Sequence, residues 1–204
     1  MEQSYWDAAF HADGFRPVYD GWLNKYHRLL TGAETVVDLG CGGGEDCAAL
    51  AGMGVSPIAC DFSPAALERL RSRLPGMETR CFDMRDGLPF GDSSVDVMLS
   101  DLSLHYFDAQ TTRKVTADIL RALKPGGALL CRVNARADYA PQTGDMLLED
   151  GYFFTGGCAR RYFDERDARA FLGGFLIGGV MEARTEKYGR VKHILEIAAR
   201  KPGA

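Results

Sequence analysis

The chain has 204 residues and a formal charge of −4, with 46% hydrophobic and 25% charged residues. That is the size and balance of one globular domain whose core needs no disulfide or metal staple. A mildly acidic chain carries no electrostatic footprint for nucleic acid or an anionic membrane, so neither is expected as a partner.

Met1 to Asp7 lack the apolar stretch of a secretory signal. Residues 1–30, with Tyr5, Trp6, Tyr19 and Trp22, read as an N-terminal cap on a single domain spanning 1–204. Val36, Val37 and Leu39 predict a short buried strand around Asp38, and Gly40, Cys41, Gly42, Gly43 and Gly44 follow it directly. These glycines allow a sharp turn and a close backbone approach to a ligand. Glu45 to Leu50 then reads as a helix whose free N–H groups face that ligand. A dinucleotide fingerprint would put its third glycine at position 45, where the sequence has glutamate.

Val55 to Cys60 is a second strand ending at Asp61 and Phe62. Ser63 and Pro64 open the next helix, with Leu67, Leu70 and Leu74 as its inner face. Asp61 lies 21 residues past Gly40, at a strand end where a carboxylate accepts hydrogen bonds from ribose hydroxyls. Thr79 to Phe82 gives a third strand ending at Asp83 and Met84. Val95 to Ser100 gives a fourth, ending at Asp101 and Leu102. His105 follows, able to act as a base near neutral pH, although a histidine at a helix start is more often structural.

Val115, Ile119 and Leu123 share a helical face that Lys124-Pro125-Gly126-Gly127 stops, and Ala128 to Val133 is the fifth strand. Asn134 to Asp150 is polar and irregular. The Tyr152–Tyr162 stretch, with Phe153, Phe154, Arg160 and Arg161, also lacks a regular pattern, and both segments are expected to roof a ligand. Asp164 caps a helix reaching Leu172. Leu176–Arg184 and Val191–Ala199 form an antiparallel hairpin across Lys187 to Arg190, with Tyr188 and His193 near its turn. The longest apolar run, 170–181, carries four glycines and is too short to span a bilayer. Six cysteines at 41, 47, 60, 81, 131 and 158, with no C-x-x-C pair, fit reduced thiols and a cytoplasmic location.

Asp38-Leu39-Gly40-Cys41-Gly42-Gly43-Gly44, the acid at Asp61, Leu104-His105-Tyr106-Phe107 and Leu123-Lys124-Pro125-Gly126-Gly127 together resemble the class I S-adenosylmethionine-dependent methyltransferases of small-molecule type. The resemblance runs over about residues 30 to 200. It implies a Rossmann-like three-layer α/β/α sandwich with a mostly parallel seven-stranded sheet, an antiparallel C-terminal hairpin and strand order 3-2-1-4-5-7-6. It further implies S-adenosyl-L-methionine as cofactor, with Asp38, Gly40, Cys41, Gly42 and Gly44 in its loop and Asp61 with Phe62 at its ribose. Asp83 and Met84 would meet the adenine, and Asp101 and Leu102 the methionine half. Asp101 could equally hold a cationic substrate or cap the next helix. His105 is the one candidate base, and no metal is expected. Two further readings are a non-catalytic S-adenosylmethionine-binding partner and a nicotinamide oxidoreductase, the latter disfavoured by the glycine spacing. Cys47 and Cys158 raise arsenite methylation, but packing of Cys47 on the sheet explains it more simply.

Overall fold

Short runs of Val, Ile, Leu and Cys become strands where both faces of a sheet are covered. The computed structural model describes residues 3–11, 18–187 and 189–203. In it β1 (Val36–Leu39), β2 (Ile58–Asp61), β3 (Thr79–Cys81), β4 (Val95–Asp101) and β5 (Leu123–Asn134) pair in parallel. Next, β6 (Met146–Glu149), β7 (Tyr152–Thr155) and β8 (Cys158–Arg161) make a separate antiparallel sheet of three. The chain then returns to the main sheet as the antiparallel pair β9 (Leu176–Lys187) and β10 (Arg190–Arg200).

The main sheet has seven strands in the order β3-β2-β1-β4-β5-β10-β9. The edge pair is ninth and tenth in the chain, not sixth and seventh, because β6 to β8 come first. Those three strands correct the reading of residues 134–162 as irregular. Each is only four residues long, and glycines at 151, 156 and 157 adopt positive φ at the bends between them. Strands that short become recognisable only beside their partners.

Among the described residues six α-helices accompany the sheet: α1 (Gln3–His11), α2 (His27–Thr31), α3 (Glu45–Gly52), α4 (Pro64–Arg73), α5 (Ala109–Ala122) and α6 (Glu165–Phe171). At the start of α4, Ser63 Oγ accepts from the Ala66 N–H, with Pro64 in the first turn. Asp164 and Asp167 close a capping box on α6. One sheet face packs Val37, Leu39, Met98 and Leu129 into a core with Val115, Ile119 and Phe171 of α5 and α6. The other packs Val36, Val97, Leu99 and Leu130 against Trp22, Leu23, Leu30 and Leu50. Residues from Trp22 on therefore belong to the core, and the expected cap at 1–30 divides: α1 contributes no buried residue, whereas Leu23 and Leu30 are fully enclosed. All six cysteines are free, and Cys81 alone is exposed. Among the described residues no helix is long and apolar enough to cross a membrane.

Candidate active site

The strand order reverses between β1 and β4, which is where open α/β sheets form a ligand crevice outside their strand ends. Two glycines of the run after β1 are packed too closely for a side chain. Gly40 has φ +74, and a Cβ there would lie 2.4 Å from Ser103 Cβ. Gly44 has φ +84 and would meet Leu70 at 2.9 Å. The amides of Gly40 and Cys41 both donate to Cys60 O, at 2.8 and 2.9 Å, which bends the loop over β2. Asp61 completes the clasp, accepting from Gly42 N and Ser63 N at 2.9 Å each. Burial pushes its carboxyl up to about 6, against the pull of the Ser63, Gly42 and Phe62 amides.

A crevice of about 750 Å³ opens here, walled by Gly40, Gly42, Asp61, Phe62, Asp83, Met84, Asp101 and Leu102. An adjoining recess of about 400 Å³ adds Asp38, Cys41, Gly43, Asp46 and Lys187. The structure thus brings together the residues expected at the cofactor, save Gly44, which sits behind the wall against Leu70. Asp83 reaches the wall with its carboxylate clasped by Arg85, at 2.6 to 3.0 Å. Burial would raise Asp83, but the Arg85 guanidinium and amide outweigh it and hold the group below the ordinary carboxylate range.

Two cations hold Asp101. Its two oxygens accept from Arg132 Nε and Nη2 at 2.7 Å each, and Lys187 Nζ bonds it from the tip of β9. Arg132 in turn bonds Asp20 at 2.6 Å and lies over the Trp22 ring. Burial works to raise Asp101, yet Lys187 and Arg132 win and keep it ionised. Among the described residues Asp38 forms no ion pair with a cation. It accepts from the Cys47 thiol at 3.2 Å, and burial pushes it up to about 7. Asp46, deeply buried and bonded to Trp22 Nε1, is raised by burial and by the charges of Asp101 and Asp38.

Leu102 adopts φ +55, a strained backbone for a branched side chain, fixed by its amide bond to Arg132 O at 2.9 Å. The kink turns Ser103 under the loop, where its hydroxyl donates to Leu39 O at 2.8 Å. His105 stands one layer back. It is 1% exposed, neither ring nitrogen has a hydrogen-bond partner among the described residues, and its ring lies 4.2 Å from that of Tyr106. Burial, then the positive charges of Lys192 and Arg160, push His105 well below its ordinary value, so it is neutral.

Sequence reading missed Phe10, Ser103, Tyr106 and Lys187 as wall residues. Phe10 comes from α1, with Gly42 so near that a Cβ would lie 3.1 Å from its ring. Trp6 of the same helix meets Tyr106 edge-on at 5.4 Å. The three-stranded sheet docks as a flap beside them, through Tyr152 Oη to Tyr106 O at 3.1 Å and Arg161 Nε to Phe107 O at 3.3 Å. Arg161 is therefore structural, also bonding Glu149. Phe153 stacks on Tyr139 at 4.0 Å. His193 lies in β10, with its amide bonded to Asp138 at 2.9 Å, and Tyr188 lies outside the described residues.

Residues 36–127 match a family model described as a methyltransferase domain. A demethylmenaquinone methyltransferase of Clavibacter sepedonicus is 38% identical over 99 residues, 48% of this chain and 40% of that protein. A tRNA N(3)-methylcytidine methyltransferase of Drosophila melanogaster is 30% identical over 153 residues, 68% of this chain and 47% of that protein. The chain spans about half the length of the curated relatives it matches. Among solved structures, a SAM-dependent methyltransferase from Methanosarcina mazei has the same fold, with TM-score 0.76 and 23% identity, covering 93% of this chain and 100% of that one.

Proposed function

We propose that this chain, a member of the class I S-adenosylmethionine-dependent methyltransferases, transfers the methyl group of S-adenosyl-L-methionine to a small-molecule acceptor and releases S-adenosyl-L-homocysteine. One observation carries the reading: the glycine loop is drawn so tightly that a Cβ at Gly40 or Gly44 would collide with Ser103 or Leu70, and the next strand ends in Asp61, bonded to that loop. When bound, the cofactor supplies a methyl group on a cationic sulfur that leaves as a neutral thioether.

The crevice suits that molecule in its chemistry. Asp61 has lone pairs left for two ribose hydroxyls. Phe82, Asp83 and Met84 wall the end suited to adenine. In the adjoining recess Lys187 complements a carboxylate, and Asp38, Asp46 and Asp101 complement an ammonium. The remaining work is to orient the acceptor and exclude water, which can lower the barrier by about 7–11 kcal/mol. Helix α1 and the flap are the segments that cover the crevice for this purpose. A small acceptor fits a site closed in by those segments on a chain of charge −4. Six thiols without a disulfide among them fit a cytoplasmic enzyme.

The test is calorimetry with S-adenosylhomocysteine and NAD, followed by S-adenosylhomocysteine release over a library of small acceptors with tRNA alongside. We expect homocysteine-nucleoside binding, none by NAD, and turnover of a small molecule. NAD binding alone overturns the reading. Turnover only on tRNA moves the acceptor to nucleic acid, and cofactor binding with no turnover at all favours a non-catalytic partner.

A further inference from the structure

The main sheet has an open flank at β9. This strand ends the strand order, and among the described residues β10 is its one strand partner. It runs for 12 residues, about twice the usual strand length. Among the described residues no backbone group bonds the outer side of β9. Such an edge templates pairing with another chain, and proteins blunt it with proline, bulges, short strands or lysine. β9 has no proline. Its one irregularity lies near its start, opposite Ala198 and Ala199, and from Gly179 to Lys187 it pairs with β10 without a break in register. Its lysine, Lys187, is buried and turned in to Asp101.

Side chains alternate along that stretch. Glu182, Arg184 and Glu186 share one face, and Met181, Ala183 and Thr185 the other. The three charged residues are exposed, and among the described residues none of them forms an ion pair. Met181 is 51% exposed. Two copies of one edge strand pair antiparallel about a two-fold axis through a single residue, because only then do opposite residues stand on the same face. The charges choose that residue. An axis at Glu182 sets Glu182 against itself, and one at Arg184 sets Glu182 against Glu186. An axis at Met181 leaves all three charges without an opposite charge. One at Thr185 sets Arg184 against Glu186 but overlaps only residues 183–187. An axis at Ala183 sets Glu182 opposite Arg184 of the second copy and, by symmetry, Arg184 opposite its Glu182. That register overlaps the whole of residues 179–187, with Glu186 opposite Val180 and Lys187 opposite Gly179.

We propose that β9 is a homodimer interface: two copies join by antiparallel pairing of their β9 edges about a two-fold axis at Ala183, held by the outer backbone groups and by reciprocal Glu182–Arg184 pairs. Opposite charges directly across a strand pair stabilise it, and like charges there destabilise it. The paired edges satisfy each other and run the two main sheets into one. The same strand carries Lys187 into the recess beside the crevice, and its Thr185 bonds Asp20 at 2.5 Å. Dimer pairing therefore braces, from the outside, a strand whose tip walls that recess.

The test compares the wild type, Glu182→Arg and the double exchange Glu182→Arg/Arg184→Glu by sedimentation equilibrium across the micromolar range, with circular dichroism of each protein. The wild type should dimerise. Glu182→Arg sets like charges opposite at two symmetric places and should weaken the dimer by at least about tenfold. The double exchange makes the pairs opposite in sign again and should restore it. The register is read by cysteine cross-linking with diamide. Ala183→Cys should give a disulfide-linked dimer, because directly opposite Cα atoms lie about 4.5–5.5 Å apart, within disulfide reach. Met181→Cys should not, since it stands opposite Thr185. The wild type, with Cys81 exposed, supplies the background. If Glu182→Arg misfolds, the two cysteine variants decide alone. A wild type monomeric throughout, a dimer indifferent to Glu182→Arg, a double exchange that does not restore it, or cross-linking no better at 183 than at 181 overturns the proposal.

Discussion

At the scale of single residues, acids buried at a strand end set two pH dependences. Asp38 ionises near 7 in the fold against 3.8 for the free group. The folded state therefore binds the extra proton, and stability falls as pH rises from about 4 to about 7. Asp38→Asn removes that charge and can still accept from Cys47. Its melting temperature should exceed that of the wild type by about 2–4 °C or more at pH 8, corresponding to at least about 1 kcal/mol, with the gap closing toward pH 4. Thermal melts across this range decide it, and a constant gap would show that Asp38 does not titrate there. Asp61→Ala should weaken S-adenosylhomocysteine binding by about 1.5–3 kcal/mol, through loss of charge-assisted acceptance. In the wild type, calorimetric affinity should fall as pH drops through about 6, where Asp61 takes up its proton. The positions of both acids were legible in sequence, Asp38 because it precedes the glycine turn and Asp61 because it closes the next strand 21 residues past Gly40. The partners of Asp101 were not: Arg132 and Lys187 lie 31 and 86 residues away, and no local pattern links them.

Among the elements, the N-terminal segment divides at a physical boundary. Helix α1 meets the molecule at the crevice, through Phe10 beside Gly42, Trp6 on Tyr106 and Asp7 bonded to Ser63 of the α4 cap. Trp22 instead bonds Asp46 at 3.1 Å and fills the core. Deleting residues 1–11 should leave a folded protein with weaker S-adenosylhomocysteine binding and slower turnover. Trp22→Ala should cost about 3–5 kcal/mol, a melting drop of roughly 6–20 °C. Circular dichroism melts and calorimetry on the two variants separate these outcomes, and equal destabilisation by both would erase the boundary. Composition alone hides the division, since aromatic residues mark core and lid alike. The same ambiguity concealed β7, whose Tyr152, Phe153 and Phe154 signal burial without saying against what. Strands β1, β2 and β4 were plain because each is a largely apolar run closed by an acid or a glycine.

For the molecule as a whole, the crevice joins β1, β2, β4, α1 and the tip of β9, so a ligand seated there bridges segments from both ends of the chain. S-adenosylhomocysteine at 100 times its dissociation constant should add about 2.7 kcal/mol of stability. That corresponds to a rise of roughly 5–11 °C in melting temperature, with none from NAD. Differential scanning calorimetry measures it directly.

The uneven exposure of the cysteines has a practical side. Cys81 ends β3 at the outer edge of the sheet, with its sulfur 3.9 Å from the carbonyl of Phe62, a residue of the crevice wall. The other five thiols are enclosed. A single equivalent of maleimide dye should attach at that one sulfur in the native protein, with no engineering of the chain. The fluorophore would stand at the rim of the crevice and turn the natural sequence into its own optical sensor of S-adenosylhomocysteine binding.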